Sequence, residues 1–189
     1  MNAQGNPMPM PTTPASKSYA VAPASPWLLL WVWLPLLLAG GLVFATALKT
    51  PPVPLAIWLV LAHLPVLGFV LHWAFNRRRI HVQGKRLEVV STFYRKRLSL
   101  SELRLEQARV VDLAEHHEYR PGFKTNGFSI PGFQSGHFRM RGGGKAFCLL
   151  TDRSRVLALP LRDGALVLVS PDQPRVLLDD LKRRAGEAA

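Results

Sequence analysis

The sequence predicts a membrane helical hairpin followed by a mainly-β domain. Three observations predict it. Residues 1–75 hold two charged side chains, Lys17 and Lys49, and no acid. Within that segment lie two uncharged apolar runs of 22 residues each, at 27–48 and 54–75. Residues 76–189 then carry 22 of the 24 bases and all 12 acids, a net charge of +10, and their apolar residues alternate with polar ones. The whole-chain charge of +12 is therefore an average over two unlike parts. A disulfide scaffold is excluded, because Cys148 is the only cysteine.

Residues 1–25 contain five prolines and one charge, which reads as a disordered tail. A first transmembrane helix is expected over 26–48 and a second over 54–75. A helix of that length covers about 33 Å, enough for a hydrocarbon core of about 30 Å. Trp27, Trp31 and Trp73 suit one membrane interface and Trp58 the other. The loop 49–53, Lys49-Thr50-Pro51-Pro52-Val53, is so short that the two helices must run antiparallel.

Orientation follows from the basic residues. Arg77, Arg78 and Arg79 directly follow the second run and act as topology determinants, whereas the loop offers only Lys49. The N-terminus and the C-terminal domain are therefore expected in the cytoplasm. Ala45-Thr46-Ala47 resembles a signal-peptidase site, but the length of the run and the single base before it favour an uncleaved span. His63 is the one ionisable group near a span centre. A metal or heme there needs a partner, and His72 falls about 180° around the helix. A neutral histidine bonded within the hairpin is the simpler expectation.

The remaining segment, 76–189, suits one small domain. Ile80 and Val82, then Leu87 and Val89, alternate around Gln83-Gly84, the pattern of a hairpin. Residues 94–100 alternate again, with Arg95 and Arg97 opposite Lys96 and Leu98. A strand is expected over 108–113 and an irregular stretch over 114–136, where Pro121-Gly122, Asn126-Gly127 and Pro131-Gly132 read as turns. Strands follow at 137–141, 146–151, 156–160 and 165–169, the first two joined by Gly142-Gly143-Gly144. A helix closes the chain, with Ser170 as N-cap, Pro171 at the first position and Gln173 completing a capping box. Leu177, Leu178 and Leu181 give it an apolar stripe. Seven or so strands and one helix predict a small barrel or sandwich covered at one end.

Several of these segments carry a resemblance. Ser129-Ile130-Pro131-Gly132-Phe133, Gly136-His137-Phe138, Thr151-Asp152-Arg153-Ser154-Arg155 and Ser170-Pro171-Asp172 stand in the order of the bacterial pleckstrin-homology-like domain, which residues 125–181 resemble. Two preceding spans are typical of its small membrane proteins. The resemblance implies a seven-stranded antiparallel barrel capped by a C-terminal helix. It implies no enzyme and no phosphoinositide site.

Candidate chemistry is sparse. Arg141-Gly142-Gly143-Gly144-Lys145 fails the phosphate-loop pattern, since Arg139 stands at the first glycine position and Ala146 at the hydroxyl position. His116, His117 and Cys148 are the only candidates for an enzyme, and they need to converge with Asp112 or Glu115. No catalytic residue, metal or cofactor is expected. The basic residues are the better candidates. Arg95, Lys96, Arg97, His137, Arg139 and Arg141 are expected to form one cationic surface that contacts a ligand or lipid. The expectation is a non-enzymatic module, anchored in the lipid bilayer, that recruits a membrane protein partner or anionic lipid headgroups. The alternative is a structural subunit of a larger membrane complex. No nucleic-acid motif accompanies the charge, so no nucleic-acid partner is expected.

Overall fold

The computed structural model of the protein describes residues 16–49 and 52–187. Helices α1 (Trp27–Ala47) and α2 (Leu55–Asn76) pack as an antiparallel hairpin. The contact is tightest at Gly68, where a Cβ would stand 2.7 Å from the Trp33 ring. Gly40 lies against Leu64 in the same way, so small residues let the helices approach. Pro35 and Pro65 lie inside the helices, as spans in lipid tolerate. Most hairpin side chains are uncovered: Leu37, Leu42 and Phe69 are 67%, 70% and 68% exposed. Both helices are long and apolar enough to cross a membrane. Such an apolar surface is costly in water and at home in hydrocarbon.

Around the hairpin's ends the chain folds into two sheets. Strands β1 (Ser16–Tyr19), β2 (Arg78–Gln83), β3 (Arg86–Ser91) and β4 (Tyr94–Ser99) form an antiparallel sheet in that order. Strands β5 (Arg109–Val111), β6 (Pro121–Ile130), β7 (Phe133–Met140), β8 (Lys145–Leu150), β9 (Val156–Pro160) and β10 (Leu166–Val169) form the second, in the order β5-β9-β10-β8-β7-β6. Among the described residues all strand pairs are antiparallel except β8 with β10. Helix α3 (Pro174–Gly186) packs on β9 and β5.

The main core lies between the sheets. Ile80, Val82, Leu87, Val89 and Leu98 meet Phe133, Phe147, Leu149, Leu157, Leu159, Val167 and Val169, with Leu177 and Leu181 of α3. A second cluster holds Val111, Leu113, Phe138, Ala146, Cys148, Leu150, Ala158 and Leu168. Strands β8, β9 and β10 thus bury both faces, which explains their unbroken apolar runs.

The hairpin shares this core. Leu28 and Val32 of α1 and Phe75 of α2 belong to the main cluster. The Phe75 ring meets Phe133 and Phe128 edge-on, with centroids 5.3 and 5.6 Å apart. One residue, Arg77, separates α2 from β2. The domain is therefore continuous with its anchor.

Several expectations need correction. The expected disordered tail, 1–25, fails over its described part. Ser16–Tyr19 pairs with β2, Ala22 N–H donates to the Ser170 carbonyl, and the Thr151 hydroxyl donates to the Ala22 carbonyl. Residues 1–15 lie outside the described residues. The segment gains order because the free edge of β2 offers backbone partners to a chain too polar to form a core alone.

The closing helix starts later than expected. Its N-cap is Gln173, without a side-chain cap bond, and Pro174 takes the first turn. Ser170 instead donates to the Asp152 carbonyl, and Pro171 bridges Val21. The tertiary bonds of Ser170 override its local capping preference. At the helix's far side, Asp180 is 3% exposed. Burial pushes its carboxyl upward, but the nearby Tyr19 hydroxyl and the bonds from Arg184 and Arg183 outweigh this and hold it below the usual carboxylate range. The Tyr19 hydroxyl, beside that carboxylate but outside ideal bonding geometry, is pushed up to about 12 by burial and Asp180.

The stretch expected to be irregular, 114–136, contains the long strand β6. Asn126-Gly127 is not a turn but a close crossing of backbones. Gly127 pairs with Gly136, and a Cβ on Gly127 would meet the Ser135 carbonyl at 2.5 Å. The turn is at Pro131-Gly132, where Gly132 has φ +78°. The expected seven strands become ten among the described residues, and the parallel β8–β10 pair departs from a purely antiparallel barrel.

Candidate functional site

The three arginines that follow α2 point in three directions. Arg77 lies over the Trp73 ring at 5.5 Å. Arg78 turns inward and lies over Phe133 at 5.8 Å; burial lowers its pKa, and its Nη1 has no hydrogen-bond partner. Arg79 turns outward, since Ile80 and Val82 occupy the core face of β2. His81 shares the outer face.

Register then sets what stands beside them. His81 is opposite Glu88, and Glu88 is opposite Arg97. Arg79 is opposite Val90, and Val90 is opposite Arg95. Arg97 donates through Nε to a Glu88 oxygen at 3.2 Å, and Arg95 Nε forms an ion pair with the same oxygen at 3.0 Å. Between this face and the end of α2 lies a cavity of about 510 Å³, lined by Trp73, Arg77, Arg79, His81, Glu88 and Arg95 among others. Its three arginines and one carboxylate carry a formal +2. Among the described residues neither Arg77 nor Arg79 makes an ion pair. The arrangement offers forked cationic donors to an anion.

The six expected contact residues do not form one surface. Arg95 and Arg97 are on the outer face of β4, with Glu88. Lys96 is on the opposite face, near His137, whose pKa is lowered by burial and by that lysine's charge. The His137 ring packs edge-on to Phe147 at 5.2 Å and Tyr94 at 6.0 Å. Arg139 is exposed, and Arg141 lines a separate cavity of about 320 Å³ with Arg120 and Arg153. Sequence reasoning missed the role of Arg79 and His81 in a site. Their alternation with Ile80 and Val82 was the available signal; the register that brings Arg95 to them was not.

The enzyme candidates scatter. Cys148 is fully buried, and burial pushes its thiol pKa up. The His116 ring packs near Tyr119 at 6.4 Å and lies 3.2 Å from the Asp112 carbonyl. His117 and Glu115 are exposed, and the Asp112 carboxylate accepts from the Ala114 N–H. Among the described residues no three His, Cys, Asp or Glu side chains group as metal ligands. His63 lies 2.6 Å from the Leu59 carbonyl within α2.

The family model described as bacterial PH domain matches residues 70–185. The chain belongs to this bacterial PH domain family. No curated protein and no solved structure matches it. The bacterial PH domain match starts inside α2 and ends inside α3, so it takes in Phe75, the arginine cavity and strands β2 to β10, while β1 lies outside it. Within the PH domain the resembling segments have structural work. Gly136 sits at φ +107° in the close crossing of β6 and β7. Asp152 caps its own turn through Ser154. Ser170-Pro171-Asp172 holds the N-terminal segment, Asp172 N–H donating to the Ala20 carbonyl.

Proposed function

We propose that the protein is a non-enzymatic interaction module of the bacterial inner membrane, which presents its PH domain on the cytoplasmic side to a membrane protein partner or to anionic lipid headgroups. One observation carries the reading. The second span ends inside the domain core at Phe75, with Leu28 and Val32 of the first span beside it. A domain on a flexible linker samples many orientations, whereas this one is held in one. Its basic residues then stand at a fixed height, where each contributes about 1 kcal/mol toward an anionic surface.

The bias of Arg77, Arg78 and Arg79 over Lys49 supports the cytoplasmic side. The full burial of Cys148 and the exposure of His117 support a non-catalytic role. Two measurements test the reading. A reporter fused after Ala189 is active only as a cytoplasmic reporter; periplasmic activity overturns the orientation. A photo-crosslinking residue at Arg139 in the full chain captures a discrete protein in native membranes. If it captures none, the partner version falls.

A second reading rests on Gly41. A Cβ there would meet nothing within 4 Å, and Gly41 lines an open apolar groove with Leu61, Leu64 and Pro65 of α2. Such a groove suits another membrane helix, as in a structural subunit of a larger complex. Capture of a protein from Gly41, with none from Arg139, favours it.

A further inference from the structure

We propose that the cavity between the end of α2 and the outer face of the first sheet binds the phosphate of an anionic phospholipid headgroup. The inference deepens the membrane-face reading and rests on it. It turns on height, charge and free donors.

The height follows from the helix. Helix α2 has 22 residues, about 33 Å, against a hydrocarbon core of about 30 Å. Its last turn therefore lies in the headgroup layer, and Arg77 follows at once. Trp73, an interfacial residue type, belongs to that turn and forms one wall. The opposite wall is the outer face of β2, β3 and β4. The cavity thus stands where lipid phosphates stand, on whichever side of the membrane the domain lies.

Charge and donors select the ligand class. The lining carries a formal +2, and Glu88 is already engaged by Arg95 and Arg97. Arg77 and Arg79 have no acidic partner among the described residues. Guanidinium groups hold phosphate through paired N–H donors, which carbonyl or choline groups do not reward equally. About 510 Å³ accommodates a glycerophosphate group. The other arginine cavity differs. Arg120 there spends donors on the Leu113 and Ala114 carbonyls, and no span residue lines it.

The test uses the full chain in neutral micelles, offered equimolar phosphatidylglycerol and phosphatidylcholine, with retained lipid counted by native mass spectrometry. The wild-type protein retains phosphatidylglycerol preferentially. Each arginine near an anionic headgroup contributes about fivefold, so Arg79→Gln with Arg95→Gln lowers the ratio by about 25-fold. Arg79→Gln alone breaks no ion pair and lowers it about fivefold, which keeps the test valid if the double variant unfolds. Arg141→Gln with Arg153→Gln leaves the ratio unchanged. Soluble glycerol phosphate does not displace the lipid.

Three results overturn the proposal: equal retention of both lipids by the wild type, a preference that survives loss of Arg79 and Arg95, or displacement by glycerol phosphate at equal concentration, which assigns the cavity to a soluble phosphate. Protein capture from Arg139 is a separate readout. Loss of the lipid site with capture intact sinks this inference and leaves the module reading standing.

Discussion

The ring of Phe75, one residue from the end of the second span, meets the ring of Phe133, first residue of β7, edge-on at 88° with centroids 5.3 Å apart. A membrane helix thereby supplies part of the core of the domain it anchors. Phe75→Ala removes a ring that is 6% exposed and is expected to cost about 3 kcal/mol or more. Near-UV circular dichroism of the full chain in detergent reads this as a lower midpoint. Phe75→Leu loses less. A fragment of residues 76–189, which lacks Phe75, Leu28, Val32 and Tyr19, melts below the full chain. Equal midpoints for fragment and full chain refute the shared core.

The hairpin's close contact gives a second expectation. Gly68→Ala drives a methyl group into the Trp33 ring, where 2.7 Å is too short for any carbon contact. The helices must separate or Trp33 must move, at about 1–3 kcal/mol. Gly41→Ala, with nothing within 4 Å, is neutral. Resistance of the hairpin to proteolysis in micelles distinguishes the two, and equal resistance counts against the contact.

Acid stability depends on Asp180. Its carboxyl titrates lower in the folded chain than in the unfolded one. The stabilisation is therefore complete above the unfolded value of about 4 and is lost as pH falls through the folded one. Asp180→Asn destabilises the protein near neutrality by about 1–3 kcal/mol and flattens the acid limb of its melting curve. At the alkaline end Tyr19 acts oppositely. Its hydroxyl is raised to about 12, so its stabilisation holds below about 10 and fades as pH rises toward the folded value. Tyr19→Phe removes that fading. A pH profile of melting that Asp180→Asn leaves unchanged contradicts the assignment.

Cys148 is expected to be inert. Full burial pushes its thiol up and away from the reactive thiolate. A maleimide label enters at a measurable rate only under unfolding conditions. Labelling of the native protein at the rate of an exposed thiol contradicts the fold around β8.

Much of this architecture was legible. The two spans announce themselves because hydrocarbon demands a long uncharged run. The stripe Leu177, Leu178, Leu181 marked α3, and the apolar run at 156–160 marked β9. The failures share a cause: they needed partners distant in sequence. Residues 16–25 lack any core-forming pattern and become ordered only because β2 and the Ser170 region offer backbone partners. Ser170 has the right chemistry for a cap, yet a bond to Asp152 claims it. Asn126-Gly127 has turn chemistry, but its glycine serves the approach of β7. The candidate site was half legible. The bases after the span were evident, but local pattern does not report that Arg95 stands across Val90 from Arg79, while Lys96 between its neighbours faces the other way.

Strand β1 has a consequence for how the protein is made. It emerges before the first span, and its partner β2 emerges after the second. The first sheet therefore stays incomplete until both helices have been delivered into the bilayer and the chain has come back to the side on which it began. Assembly of the sheet is conditional on correct insertion. A chain with one span mis-inserted leaves Tyr19 and the edge of β2 on opposite sides of a lipid barrier. Its domain is then left with an open, unpaired edge at β2.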